Sequence, residues 1–226
     1  MSDARWLAAT WPFVRDSLPP APASVVEIGC GPLGGFVPQM LSSGYDAVGV
    51  DPEAPDAAGY HRTEFEHHEP AAPVAAVVAS TSLHHVAELA DVLDRIGEVT
   101  VPGATLVVVE WAHERFDEPS ARWCFDRLPM VSDDEPGWLH RHRDQWKESG
   151  LPWDAYFRGW VTEERMHPGR DIVRGLQERW ETVVLDDGPY FFAELDGVTP
   201  DAEQAAIDAG LVQATGIRFV GRGSRS

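Results

Sequence analysis

The sequence predicts an α/β fold built on a mostly parallel sheet, and three observations predict it. Short β-branched runs, Val25-Val26-Glu27-Ile28, Pro73 to Ser80 and Ala104 to Val109, alternate with helical stretches as far as Glu110. Strands that alternate with helices form parallel sheets through right-handed crossovers. Gly29-x-Gly31-x-x-Gly34 follows the first run directly; such a turn lets a ligand lie against the main chain beside the free N–H groups of the next helix. The chain has 226 residues, enough for one α/β domain with a full core and short for two.

Residues from about Asp3 to Leu18 place Trp6, Leu7, Trp11, Phe13 and Val14 at partly helical spacing, ended by Pro19-Pro20-Ala21-Pro22. This N-terminal helix, residues 1–20, either covers the ligand pocket or pads the sheet. After the glycine turn, Gly35 to Leu41 reads as a helix in which Pro38 falls in the first turn, where its missing N–H costs nothing. Tyr45 to Val50 is the second strand and ends in Asp51, at the carboxyl edge where open α/β sheets bind ligands. His61 to His67 is a weaker third strand. His67 and His68 are adjacent and point to opposite faces of a strand, which argues against a shared metal. Pro73 to Ser80 is a buried strand; Val86, Leu89, Ala90, Leu93 and Ile96 then form a helical stripe. Pro102-Gly103 turns the chain into the fifth strand, which delivers Glu110 and Trp111 to its carboxyl end.

From Trp111 the alternation stops. A helical insertion, residues 111–161, carries an unusual load of aromatic and basic side chains. Thr162 reads as the N-cap of a helix through Arg179. Glu181 to Leu185 and Gly188 to Leu195 read as one long interrupted strand, Thr199 caps a helix through Ala209, and Gly216 to Gly221 is a last strand. One domain of 226 residues is expected, with a ligand-binding half at 24–110 and a C-terminal sheet half at 162–226.

Charge and composition narrow the partners. The net charge is −19, from 37 acidic against 18 basic residues, a field that repels phosphate backbones and anionic membrane surfaces. Neither a nucleic acid nor a membrane is expected as a partner; a small molecule is, and a homodimer stays open. The nearest basic patch, His140-Arg141-His142-Arg143, reads as a solvated helix face. Without a long apolar run, a leader pattern, a zinc spacing or a disulfide framework, the expectation is a cytoplasmic protein with Cys30 and Cys124 reduced and no metal.

Glu27 discriminates between ligands. It lies two residues before the first glycine, where a dinucleotide-binding strand is apolar, and a carboxylate buried there requires a cation or several donors. With Glu27, Gly29, Gly31 and the Gly34-Gly35 pair, the sequence resembles the class I S-adenosylmethionine-dependent methyltransferases of small-molecule type. Thr81-Ser82-Leu83-His84-His85-Val86 resembles that family's fourth motif, and the two C-terminal strands match its antiparallel seventh strand beside the sixth. The resemblance implies a Rossmann-like sheet, S-adenosyl-L-methionine as cofactor, and methyl transfer to O, N or C of a small-molecule acceptor. It implies that Glu27 meets the cofactor's amino group beside Gly29, Cys30 and Gly31, and that Asp51 with Pro52 receives the ribose. Glu64 and Phe65, or Glu66, would meet the adenine; Ser80 and Thr81 would line the methionine end, with Ser82 starting the next helix. The insertion would form the lid and acceptor pocket.

Displacement at an activated methyl group depends chiefly on alignment. Where the acceptor must lose a proton, His85, His113 and Tyr190 are the candidate catalytic groups, with His84, His140 and His142 as further titratable rings. Two other readings stay open. One is an NAD(P)-dependent oxidoreductase, for which the glycine fingerprint and an acid about twenty residues on speak. The other is a module that binds the cofactor, or scaffolds a partner, without turnover.

Overall fold

The computed structural model describes residues 2–130 and 136–224. Its sheet has seven strands: β1 (Ser24–Ile28), β2 (Asp46–Val50), β3 (Tyr60–His61), β4 (Val74–Ser80), β5 (Thr100–Trp111), β6 (Glu181–Gly188) and β7 (Gly216–Arg222). They lie in the order β3-β2-β1-β4-β5-β7-β6. β1 to β5 pair in parallel, while β7 runs antiparallel between β5 and β6. The order reverses between β1 and β4, which places the ligand crevice above their carboxyl ends. The antiparallel β7 is the ending that the dinucleotide reading does not lead one to expect.

Two apolar layers clamp the sheet. On one face Val26, Ile28, Val77, Leu106 and Phe219 pack with α3 (Leu89–Glu98) and α7 (Gly169–Arg179). On the other, Val25, Ala76, Val78 and Val107 pack with α1 (Ser2–Ser17) and α2 (Val37–Ser42) through Val14, Phe36 and Met40. α8 (Pro200–Asp208) follows β6, with Thr199 Oγ1 accepting from the Ala202 N–H at 3.1 Å as the cap predicted. The insertion folds as α4 (Glu118–Phe125), α5 (Trp138–Ser149) and α6 (Trp153–Glu163) around its own aromatic core. There the Trp153 and Phe157 rings stack with centroids 5.0 Å apart. No helix among the described residues is long and apolar enough to cross a membrane.

Element boundaries differ from expectation in several places: β5 begins at Thr100 and runs through Pro102-Gly103 instead of starting after them, and four others have an identifiable cause. The third strand is only Tyr60–His61, because Phe65–His67 coils into a 3₁₀ turn that buries Phe65. The helix expected from Val86 begins at Leu89, and Leu83 to His85 form a turn instead, so Ser82 starts no helix; its hydroxyl donates to the Ile28 carbonyl at 3.2 Å. Thr162 is no N-cap: it lies inside α6 and donates to the Arg158 carbonyl at 2.8 Å. Arg165, at φ 55, then breaks the path, and α7 starts after Pro168, its first N–H groups accepted by Glu114 at 2.8 Å each. Finally, the strand expected over Gly188 to Leu195 stops at Gly188, because the N–H groups of Tyr190, Phe191 and Phe192 turn to the buried carboxylate of Glu203.

Candidate functional site

The turn between β1 and α2 is shaped by what its glycines leave out. A Cβ on Gly35 would collide with the carboxyl of Glu27, whereas a Cβ on Gly31 would meet nothing within 4 Å and project into open space. Gly35 therefore serves the protein's own packing. Gly31 keeps room for something outside the protein. Glu27 is fully buried under this turn, where its Oε2 accepts from the Phe36 N–H at 2.7 Å and its Oε1 from the Ser80 hydroxyl at 3.1 Å. Burial lifts its pKa to about 8, against the opposing pull of those donors. Glu27 lines none of the three cavities below; its carboxyl, expected to meet the cofactor's amino group, is engaged instead by the Phe36 N–H and the Ser80 hydroxyl.

Asp51 closes the other side of the turn. Its Oδ2 accepts from the Gly31 N–H at 3.0 Å and its Oδ1 from the Glu53 N–H at 2.7 Å, which aims the carboxylate along the carboxyl edge of β1 and β2. A carboxylate has about four acceptor sites, so lone pairs on both oxygens remain for a diol. The cavity it faces, of about 420 Å³, is lined by Gly29, Gly31, Pro52, Glu64, Phe65 and Val86 among others. Acid at one end and flat apolar walls beyond fit a nucleoside. Glu66 lines this cavity as well, so both acids named for this position are brought to it.

A second cavity, of about 310 Å³, runs over Cys30, Gly31 and Ser80 and is roofed by Trp6 and Leu7 of α1 and by Trp138 of the insertion. A third, of about 540 Å³, opens between the end of β5 and the insertion helices. Thr81 lines all three. Its backbone sits at φ 49, in the left-handed region that a β-branched residue seldom adopts, held by its N–H donating to the Val109 carbonyl at 2.8 Å. Strain of that kind concentrates at sites where function fixes the backbone.

The third cavity gathers aromatic and imidazole side chains. Trp111, Trp138, Trp160 and Tyr190 form its apolar walls; His84, His85 and His142 its polar ones. Tyr190 is stacked on Trp111 at 5.7 Å and 7°, and burial raises its pKa, so it stays a phenol. The two neighbouring histidines are placed differently. His84 is the buried one, its Nδ1 2.5 Å from Glu110 Oε1, while the His85 ring lies 4.1 Å from it, tilted by 43°, and opens onto the first and third cavities. Desolvation by those walls, then His84, lowers the His85 pKa. Glu110 is fully buried and also accepts from the N–H groups of Leu83 and Trp111 at 2.8 and 2.7 Å. Burial alone would raise its pKa; His84 and those donors outweigh it and hold the carboxyl below its ordinary value.

His113 does not reach the site. The 3₁₀ turn His113–Arg115 folds its ring inward against the edge of Trp111 at 5.9 Å, and it lines none of the three cavities. His140 is likewise turned away, with Nε2 at 2.9 Å from the Pro129 carbonyl. Groups that motif reading passed over also line the third cavity: Gln145 of the insertion, and Glu164 and Met166 just after it. Their only signal in the sequence is the aromatic load around them.

Residues 4–164 match the family described as Methyltransferase domain. No curated protein matches the chain. Among solved structures, a putative S-adenosylmethionine-dependent methyltransferase from Listeria monocytogenes superposes with a TM-score of 0.57 at 13% identity, over 96% of this chain and 99% of that one. The N-methyltransferase NodS from Bradyrhizobium japonicum, in complex with S-adenosyl-L-homocysteine, gives 0.51 at 14% identity, over 94% of this chain and 84% of that one. The 1,6-didemethyltoxoflavin-N1-methyltransferase of Burkholderia thailandensis gives 0.52 at 11% identity, over 99% and 78%. At such identities the likeness speaks for the fold.

Proposed function

We propose, from the premise that this chain belongs to the methyltransferase-domain family, that it uses S-adenosyl-L-methionine to methylate a small molecule held in the third cavity. The observation that carries this reading is the position of Thr81, the residue common to a nucleoside-sized slot, a channel over the glycine turn and an aromatic chamber. When bound, the cofactor supplies a methyl group already activated by its sulfonium charge. The protein's part is to hold and align.

Asp51 receives the ribose hydroxyls, Phe65 and Val86 wall the adenine, and Gly31 and Ser80 line the methionyl portion. Glu27 acts through the loop, by holding the Phe36 N–H and the Ser80 hydroxyl in place. Trp138 and Tyr190 each line both the channel and the chamber, and so bring acceptor and cofactor against one another while excluding water. The 1,6-didemethyltoxoflavin-N1-methyltransferase, whose structure holds 1,6-didemethyltoxoflavin, supports a small-molecule acceptor.

The test is calorimetric titration of the purified protein with S-adenosyl-L-homocysteine, with reduced nicotinamide cofactors titrated in parallel. Saturable binding of the first alone is expected. Binding of a nicotinamide cofactor in its place would overturn the reading.

A further inference from the structure

The chamber presents two imidazoles in the same way. His84 gives Nδ1 to Glu110 at 2.5 Å, and His142, on α5, gives Nδ1 to the Tyr156 hydroxyl at 2.7 Å. The Tyr156 O–H itself donates to Gln145 Oε1 at 3.1 Å, so the hydroxyl oxygen accepts from His142 and the ring carries its proton on Nδ1. Glu110, an acceptor only, fixes the same tautomer on His84. In both residues Nδ1 is the ring nitrogen committed to protein, and both rings line the chamber. Each therefore offers Nε2 as a hydrogen-bond acceptor.

The space between them is aromatic. His84 meets Trp111 at 6.0 Å, Trp111 meets Trp138 at 5.5 Å, and Trp138 meets His142 at 5.5 Å, all edge-on, while Trp160 lies 4.4 Å from His142. Flat apolar walls with an acceptor at either end select a flat molecule with donors at its ends. The charged groups at the chamber are Arg141, whose Nη1 donates to the Pro136 carbonyl at 2.6 Å, and Glu164.

Resting on the methyltransferase reading, we propose that the acceptor is a planar aromatic molecule with two hydrogen-bond donors: one, held by His142, orients it, and the other, an O–H or N–H at His84, is the group methylated. In the step, the bond from the acceptor's oxygen or nitrogen to the methyl carbon forms as the carbon–sulfur bond breaks, its electron pair going to sulfur, and the acceptor's proton passes to His84 Nε2. The imidazolium so formed is held against Glu110. His84 is then the catalytic base, His142 a specificity residue and Glu110 a positioning residue. Burial, then Arg141, lowers the His142 pKa to about 4, which keeps that ring neutral and accepting.

The isomeric dihydroxynaphthalenes, which place two O–H groups at different separations on one flat ring system, serve as probes. Their binding is read by tryptophan fluorescence quenching in the presence of S-adenosyl-L-homocysteine, beside the matching dimethyl ethers. At least one diol is expected to bind about tenfold tighter than its ether, the effect of one or two hydrogen bonds to buried acceptors. His142→Phe, and to a lesser degree Tyr156→Phe, should reduce that preference several-fold, leaving the part that His84 supplies. His84→Asn keeps a donor for Glu110 and lacks Nε2; it should bind the homocysteine and the diol within a few-fold of the parent while transfer of labelled methyl to the diol falls roughly 10²–10⁴-fold. Diols and ethers that bind alike, no binding of any probe, a preference undiminished in His142→Phe, no methyl transfer to a diol that binds, or undiminished transfer in His84→Asn would each overturn the proposal. Failure to bind S-adenosyl-L-homocysteine would instead strike the cofactor reading beneath it.

Discussion

The Gly31 N–H donates to Asp51 Oδ2 at 3.0 Å, across the gap between the ends of β1 and β2. One carboxylate thus shapes the glycine turn and faces the nucleoside-sized slot at once. Asp51→Asn replaces one acceptor oxygen by an amide donor, so either the loop bond or a ribose contact is lost. Binding of S-adenosyl-L-homocysteine should weaken by about 1–3 kcal/mol, the cost of a buried polar group left unpaired, with thermal stability little changed. Calorimetry of the two proteins side by side measures it; unchanged affinity would remove Asp51 from the site.

Gly31→Ala separates folding from binding. The added methyl meets no protein atom within 4 Å, so the cost to the fold is that of placing alanine at φ 60, about 1–2 kcal/mol. The methyl projects into the channel that the methionyl portion is proposed to occupy. A folded protein, shown by circular dichroism, whose homocysteine binding is lost is the expected result. Full binding would mean that the ligand does not run over this turn.

Glu27 gives stability a pH dependence of defined sign. Its pKa in the folded protein, about 8, stands above the ordinary carboxylate value of 4.5, so the folded state holds the proton more tightly than the unfolded chain. The stability it contributes is fully present below about pH 4.5 and declines as pH rises toward 8, by at most about 1.4 kcal/mol for each pH unit in that window. Glu27→Gln cannot titrate and should flatten the profile. Urea unfolding of both proteins at pH 5 and pH 8 decides: parallel losses in the two would exclude Glu27 as the source.

The order β-α-β up to Glu110 was legible because period and composition speak there without help from distant residues. Cofactor-facing positions were legible for the same reason: Gly29, Gly31, Asp51 and Thr81 sit within a residue or two of a strand's carboxyl end. What the sequence hid was contact at a distance. The start of α7 is capped by Glu114, roughly a quarter of the chain away, so Thr162 looked like the better start. Adjacent histidines carry the same propensity, and only the position of Glu110 under the turn shows that His84, not His85, is the one held. The chamber's walls come from helices whose packing against β5 no local pattern encodes.

Glu203 is another contact at a distance, and it bears on Tyr190. Its buried carboxylate, on α8, accepts from the N–H groups of Tyr190, Phe191 and Phe192 at 2.8, 3.1 and 2.5 Å, and so turns the chain from β6 into the 3₁₀ turn that points Tyr190 at the channel and chamber. Burial raises its pKa and the three donors oppose the rise. In Glu203→Gln one oxygen still accepts from Tyr190 and Phe191, but the amide nitrogen confronts the Phe192 N–H, donor against donor. Stability should fall by about 1–3 kcal/mol, and more in Glu203→Ala, which leaves three buried donors unpaired. Because the nucleoside slot is walled by other elements, while Tyr190 borders the channel and the chamber, the glutamine variant should bind the cofactor product within a few-fold of the parent and lose chiefly the fluorescence response to an aromatic probe. Equal loss of both would show that Glu203 supports the whole domain; loss of neither would show that Tyr190 keeps its place without it.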